Sequence, residues 1–266
     1  MNNKYRILSI LESKQLSKAS TGLPTFEISS LDISSQLDFD LPLNLRLGHV
    51  VEKVVAESIR RSNNYEIIYE NTQIIEEKKT IGEIDFIIKE LESSQLIHME
   101  LAYKFYLYDP NISENPINNW VGPNRNDSLF AKLRKLKNKQ FPLLELPISE
   151  KFFPSIQLKD VRQELCLLVS LYLPFKFKEE LDLEFKEAVK GYYLKYDEFL
   201  KSLNKDESYY MPRRKEWGID PSTNDCWSKY EVIEDQILLS ITEKQAPLIW
   251  KKAQNKFTSF FVVWWD

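Results

Sequence analysis

A chain of 266 residues is long enough for one large domain or two small ones, with an ample buried core. Its hydrophobic fraction of 43% and aromatic fraction of 13% are those of a globular protein, and six glycines with no GxGxxG or Walker-type stretch argue against a glycine-rich phosphate loop. The net charge of −4 and pI of about 5.5 run against a generally basic nucleic-acid binder, so local patches have to decide that question.

Residues 1–43 are rich in Ser and Leu and read as a packed arm of mixed structure. Residues 45–61 predict a helix that ends before the turn-like Ser62-Asn63-Asn64. Three strand-like runs follow, over 65–75, 83–88 and 96–106. The Asn- and Pro-rich stretch 109–124 reads as a loop. A helix is expected over 128–139, with Asp127 as its N-cap and Leu129, Leu133 and Leu136 as its apolar face. Residues 143–160 carry no clear periodicity. Residues 165–173 are apolar enough for a buried strand, 179–190 and 194–203 look helical, 210–221 is a basic aromatic loop, and 257–265 favours a strand.

Cys166 and Cys226 lie far apart and form no CxxC, which argues against a disulfide framework and against zinc, and makes a reduced, cytoplasmic location the default expectation. No N-terminal h-region and no apolar run of membrane-spanning length is visible, so no membrane association is expected.

The chemistry concentrates in four residues. On the predicted helix, at about 100° per residue, Glu52 falls within the apolar arc of Leu45, Gly48, Val51, Val55 and Ile59. A carboxylate there needs a partner or must snorkel to water. In Gly82-Glu83-Ile84-Asp85-Phe86-Ile87-Ile88, alternation puts Ile84, Phe86 and Ile88 on one face, and Asp85 with Ile87 on the other. In the next strand Leu96, His98, Glu100, Ala102 and Lys104 share a face. A symmetric hairpin centred on Glu92-Ser93 places Asp85 opposite Glu100. Two opposed carboxylates are tolerated best around a hard divalent cation, and Lys104 on the same face can reach a phosphate or an attacking water. The alternative is a structural acid–lysine network on a partly exposed sheet.

The helical Glu52, the Gly-Glu-Ile-Asp-Phe run and Glu100-Leu-Ala-Tyr-Lys104 together resemble the PD-(D/E)XK nuclease superfamily. More narrowly, Arg46-Leu-Gly-His-Val-Val-Glu52, 82–86, His98-Met-Glu-Leu-Ala-Tyr-Lys-Phe-Tyr106 and Trp120-Val-Gly-Pro-Asn124 resemble a bacterial family of unknown function, DUF1853, assigned to that superfamily. The resemblance is good over 44–142 and weak elsewhere. It implies an α/β fold with a restriction-endonuclease-like α-β-β-β-α-β core and a mixed sheet, preceded by an N-terminal arm and followed by a mixed C-terminal elaboration. The expected organisation is an arm over 1–43, a nuclease-like core over 44–174, and an elaboration over 175–266 packed on the core as one globular unit. It also implies a Mg²⁺ site, open to Mn²⁺, in which Asp85 and Glu100 match the metal-binding acids and Glu52 the helical acid. The motif has its Lys two residues after the Glu, where this chain has Ala102; Lys104 lies roughly 7 Å further along the same face.

On this reading Glu52, Asp85, Glu100 and Lys104 form the catalytic set. Lys132 and Gln140, on or beside the apolar face of the second helix, would fit the same architecture as substrate contacts; the plain alternatives are a solvated charge and a helix-end residue. The run Lys132, Arg134, Lys135, Lys137, Lys139 either touches a phosphate backbone or is a solvated helix face. Trp120 and Asn124 belong either to a loop over the site, with the indole stacking on a base, or to a rigid surface turn. Arg213, Arg214, Lys215 and Trp217 either grip a strand or form an ordinary exposed loop. His98 is a partner of the acids or a satisfied sheet residue, and His49 receives no role. The expected function is a metal-dependent nuclease acting on DNA in repair, processing or defence. The rival is a catalytically inactive protein of the same fold that binds nucleic acid or a partner protein, and a homodimer stays open. A third reading is an interaction module with an acidic cluster.

Overall fold

The computed structural model describes residues 3–33, 37–42, 44–254 and 256–265. The expected N-terminal arm and C-terminal elaboration therefore lie in small part outside the described residues. The first helix, α1 (Asn3–Leu11), buries Ile7 and Ile10, and the short β1 (Lys14–Gln15) pairs antiparallel with a central strand farther along the chain. A single turn, α2 (Lys18–Thr21), is capped by the Ser17 hydroxyl and closed by Gly22 in the left-handed region.

Val50, Val51, Val54, Val55 and Ile59 form a continuous apolar stripe along α3 (Leu47–Arg60). That stripe, together with Ile7, Ile10, Phe26 and Leu41 from the N-terminal segment, covers one face of the sheet. The strands β2 (Tyr65–Glu76), β3 (Lys79–Glu90) and β4 (Leu96–Tyr108) are antiparallel neighbours. The run predicted over 83–88 is shorter than the strand at both ends, and β3 begins four residues earlier than its sequence suggests. The reason for the early start lies in the turn: Glu77 and Lys78 both take positive φ, of 47° and 64°, without a Gly or Asn to signal a hairpin.

Past β4, the short β5 (Trp120–Val121) pairs back onto it. The second helix, α4 (Leu129–Lys135), continues as a π turn (Leu136–Gln140). Its N-cap is Ser128, whose hydroxyl accepts from the Ala131 amide, and not Asp127, which is committed elsewhere. A series of short 3-10 turns then leads to β6 (Arg162–Pro174), which runs parallel to β4 and is buried from Glu164 to Tyr172.

The C-terminal half extends the same sheet. The helix expected over 179–190 is confined to α5 (Leu183–Ala188), and the chain then turns into β7 (Val189–Lys195), which pairs parallel with β6. Gly191 allows this: a Cβ there would lie 1.9 Å from the Ser259 carbonyl oxygen. After α6 (Tyr196–Ser202), β8 (Ser208–Tyr210) and α7 (Tyr230–Thr242), the chain adds β9 (Leu248–Ala253) and β10 (Lys256–Val263). The result is a mixed α/β fold with a ten-stranded mixed sheet and, among the described residues, seven α-helices. Its main path runs β2-β3-β4-β6-β7-β10-β9-β8, so residues 162–263 continue the sheet begun by 65–108. No helix among the described residues is long and apolar enough to cross a membrane.

Candidate functional site

Alternation holds along β3 only as far as Asp85. Phe86 and Ile88 join the core under α3, as expected. Ile84 instead packs with Ile74, Ile87 and Leu143. The break coincides with two irregularities. The β3–β4 ladder ends at Phe86↔Met99, and on the other side Asn71, which the local register sets against Asp85, has a φ of 49°. The ladder's offset is that of a hairpin centred on Glu92-Ser93, and carried one step further it brings Asp85 to Glu100. At that point Asp85 Oδ2 accepts the Leu101 amide at 2.8 Å, so a side chain takes an amide that faces β3 where the backbone ladder has ended.

Glu100 is buried, at 1% exposure, and both its oxygens are held. Oε1 lies 2.9 Å from Nε2 of the fully buried His98, and Oε2 accepts from Gln140 Nε2 at 3.2 Å. His98 Nδ1 has no hydrogen-bond partner, so its Nε2 contact with Glu100 is the ring's polar anchor. Gln140 also donates to the Glu83 carbonyl at 3.3 Å, so this one amide ties β3 to β4 where the strands part. The π turn presents it there.

Burial, and then the nearby charge of Glu100, push the Asp85 carboxyl up from 3.8 to about 7. The Leu101 amide and Lys132 act in the opposite direction, and Glu52 adds a smaller raising effect. Lys132 is half-buried on α4, and burial lowers its pKa against the opposing pull of Glu100 and Asp85. The lysine set against the acid pair is therefore Lys132. Lys104 donates to Asp127 Oδ2 at 2.7 Å in a pair whose side chains are 34% and 43% exposed. It lies close enough to Lys132 to lower the latter's pKa, so it borders the site without joining the acids. Ala102, at the motif's lysine position, packs in the core beneath α4 with Leu133.

Glu52 is partly exposed and lies 2.9 Å from His49 Nδ1, which gives His49 a role the sequence did not suggest. Among the described residues, no group of three His, Cys, Asp or Glu side chains is gathered to hold a metal ion. Glu52 thus does not complete a three-acid ligand set with Asp85 and Glu100. The donor chemistry of the remaining pair still fits Mg²⁺, which takes one or two carboxylates and fills its other positions with water and substrate phosphate oxygens.

Beside the pair lies a cavity of about 860 Å³, floored by residues 101–105 of β4. Residues 44–48 at the start of α3 form one wall and Arg213, Arg214, Lys215 and Trp217 another; Glu52, Lys104 and Lys132 also face it. The C-terminal half therefore supplies part of a site whose acids come from the N-terminal half.

The chain belongs to the DUF1853 family. The match to this domain of unknown function runs over residues 12–258, almost the whole chain. Neither a curated protein nor a solved structure matches it.

Two expected substrate contacts are corrected. Trp120 is fully buried and stacks on Phe185 with ring centroids 5.4 Å apart, so its indole cannot meet a base. Asn124 uses both ends of its amide on the C-terminal segment: Oδ1 accepts from the Ala246 amide at 2.8 Å, and Nδ2 donates to Gln245. It fastens the loop to that segment. Gln140, also expected to touch substrate, is engaged with Glu100 and Glu83 as described. The partners of Trp120, Gln140 and Asn124 are all long-range and left no signal in sequence.

Proposed function

We propose that this chain is a Mg²⁺-dependent nuclease of restriction-endonuclease-like fold that hydrolyses phosphodiester bonds in DNA, with Mn²⁺ able to substitute. The observation that carries the reading is the Asp85–Glu100 pair, set where β3 and β4 separate, with Lys132 close enough to act on both carboxylates. The order α3, β2, β3, β4, α4, β6 supports the core assignment, being the α-β-β-β-α-β sequence of elements.

Asp85 and Glu100 would hold the ion, and it would polarise the scissile phosphate and lower the pKa of a bound water. His98 and Gln140 fix the orientation of Glu100 by taking one oxygen each. Lys132 presents an ammonium to the same spot. Its partial burial strengthens its attraction to a phosphate oxygen and brings it closer to releasing a proton, so it can orient the attacking water. Glu52, faced into the cavity and linked to His49, stands where it can accept a hydrogen bond from water entering the site.

The test is cleavage of single-stranded, duplex and branched DNA by the full chain in Mg²⁺ or Mn²⁺. Asp85→Ala and Glu100→Ala are each expected to abolish it, and Lys132→Ala to slow it by about 100-fold. A wild-type chain that cleaves none of these substrates in either metal refutes the proposal. A second reading, a nuclease-fold protein that binds without cleaving, is favoured by Ala102 at the lysine position and by the engagement of both Glu100 oxygens. Tight DNA binding with no metal-dependent cleavage would select it.

A further inference from the structure

The charge around the cavity differs from that of the chain. Among its lining residues six are cationic (Arg46, Lys104, Lys132, Arg213, Arg214, Lys215) and two are acidic (Glu52, Asp127), in a protein of net charge −4. Arg46, Arg213 and Arg214 are exposed and line the cavity from two segments, the entry to α3 and the turn contributed by the C-terminal half. Tyr103 on the floor lines the same space; Phe105 and Trp217 border it but are buried against each other, with ring centroids 5.4 Å apart, and Arg214 lies over the Trp217 ring at 5.6 Å. The excess of cations suits a phosphate backbone, single-stranded or duplex.

Size separates the two. A space of about 860 Å³ lies within the range of roughly 300–1,000 Å³ typical of pockets that enclose one small molecule. A few linked nucleotides fit there, and a stack of base pairs does not.

We propose that this cavity takes single-stranded DNA, whose backbone is gripped by Arg213 and Arg214 against Arg46 as it passes to the acid pair. The inference rests on the nuclease reading for its choice of polyanion, and its test does not require cleavage. Binding of a fluorescent oligothymidine to the full chain is measured by anisotropy in EDTA across a salt series, beside a duplex of equal length. The single strand is expected to bind at least tenfold more tightly. Arg213→Ala/Arg214→Ala is expected to weaken single-strand binding by about tenfold or more. It should also flatten the slope of log K against log salt by about 1.4, at roughly 0.7 for each phosphate of a single strand that is no longer neutralised. The turn itself should survive, since Arg213 contributes its backbone amide to Glu216 at 2.9 Å and alanine keeps that bond; an unchanged melting temperature verifies this. A double variant of two exposed cations away from the cavity, Lys178→Ala/Lys201→Ala, removes the same charge and should leave the slope within error. Equal or tighter binding of the duplex overturns the proposal, as does an unchanged slope in the arginine variant or an equal loss in the control. Single-strand binding lost with the arginines but never followed by cleavage would sink the nuclease reading and leave this one standing; cleavage with duplex preference would do the reverse.

Discussion

Asp85→Asn should stabilise this protein at pH 8 and lose most of that advantage by pH 5. The unfolded carboxyl titrates near its ordinary value of 3.8, whereas in the fold burial and Glu100 raise it to about 7. Between those values the native state holds a proton that the unfolded state has released, so stability falls as pH rises through this window. Above pH 7 the full cost of the buried charge is present. A gap of this size corresponds to on the order of 4 kcal/mol, and partial solvent exposure of Asp85 reduces the expected effect to about 2 kcal/mol. Asparagine removes the charge while its carbonyl oxygen can still accept the Leu101 amide, as Asp85 does. Urea unfolding in EDTA at pH 5 and pH 8 should show the variant more stable than wild type by about 2 kcal/mol at pH 8 and by less than half of that at pH 5. Adding Mg²⁺ at pH 8 should stabilise wild type and leave Asp85→Asn unmoved, because binding to the folded state alone raises its stability. A variant that is less stable at pH 8, or whose difference from wild type is the same at both pH values, would refute the account of Asp85 as a charge held against its environment.

Two further outcomes separate structural from functional roles. Lys104→Met should leave stability within about 1 kcal/mol, since its pair with Asp127 is exposed. It should slow cleavage far less than Lys132→Met, as read from single-turnover rates at saturating metal. Trp120→Ala should cost about 3–5 kcal/mol in chemical denaturation, the loss expected for a buried indole, with no selective change in the salt slope of DNA binding. A base-stacking role would give the opposite result.

Much of the central architecture was legible because it depends on local periodicity. The 3.6-residue spacing of valines set out α3, and strict alternation set out β4, with Glu100 and Lys104 on one face. The reading was weakest where backbone conformation departed from residue preference. The 77–78 turn has no glycine, so β3 was started late; Asn71 and the end of the ladder reverse the face of Ile84; and Val189 begins a strand directly after a helix whose composition runs on without a break. Sequence reasoning offered no element for α7 or β9.

By itself the sequence determined the order of helix and strands around the acids, and the hairpin offset that β3 and β4 share up to Phe86↔Met99. Alternation and a symmetric turn settle such matters within a few residues of the chain. Tertiary structure alone decided which lysine faces the pair, since Lys132 reaches it through the packing of α4 and Lys104 is drawn to Asp127. It likewise turned Gln140 onto Glu100, buried Trp120 against Phe185, and brought Arg213 and Arg214 from the C-terminal half to the cavity wall. These are long-range choices between competing partners, settled by burial and charge in the folded state and carried by no local period.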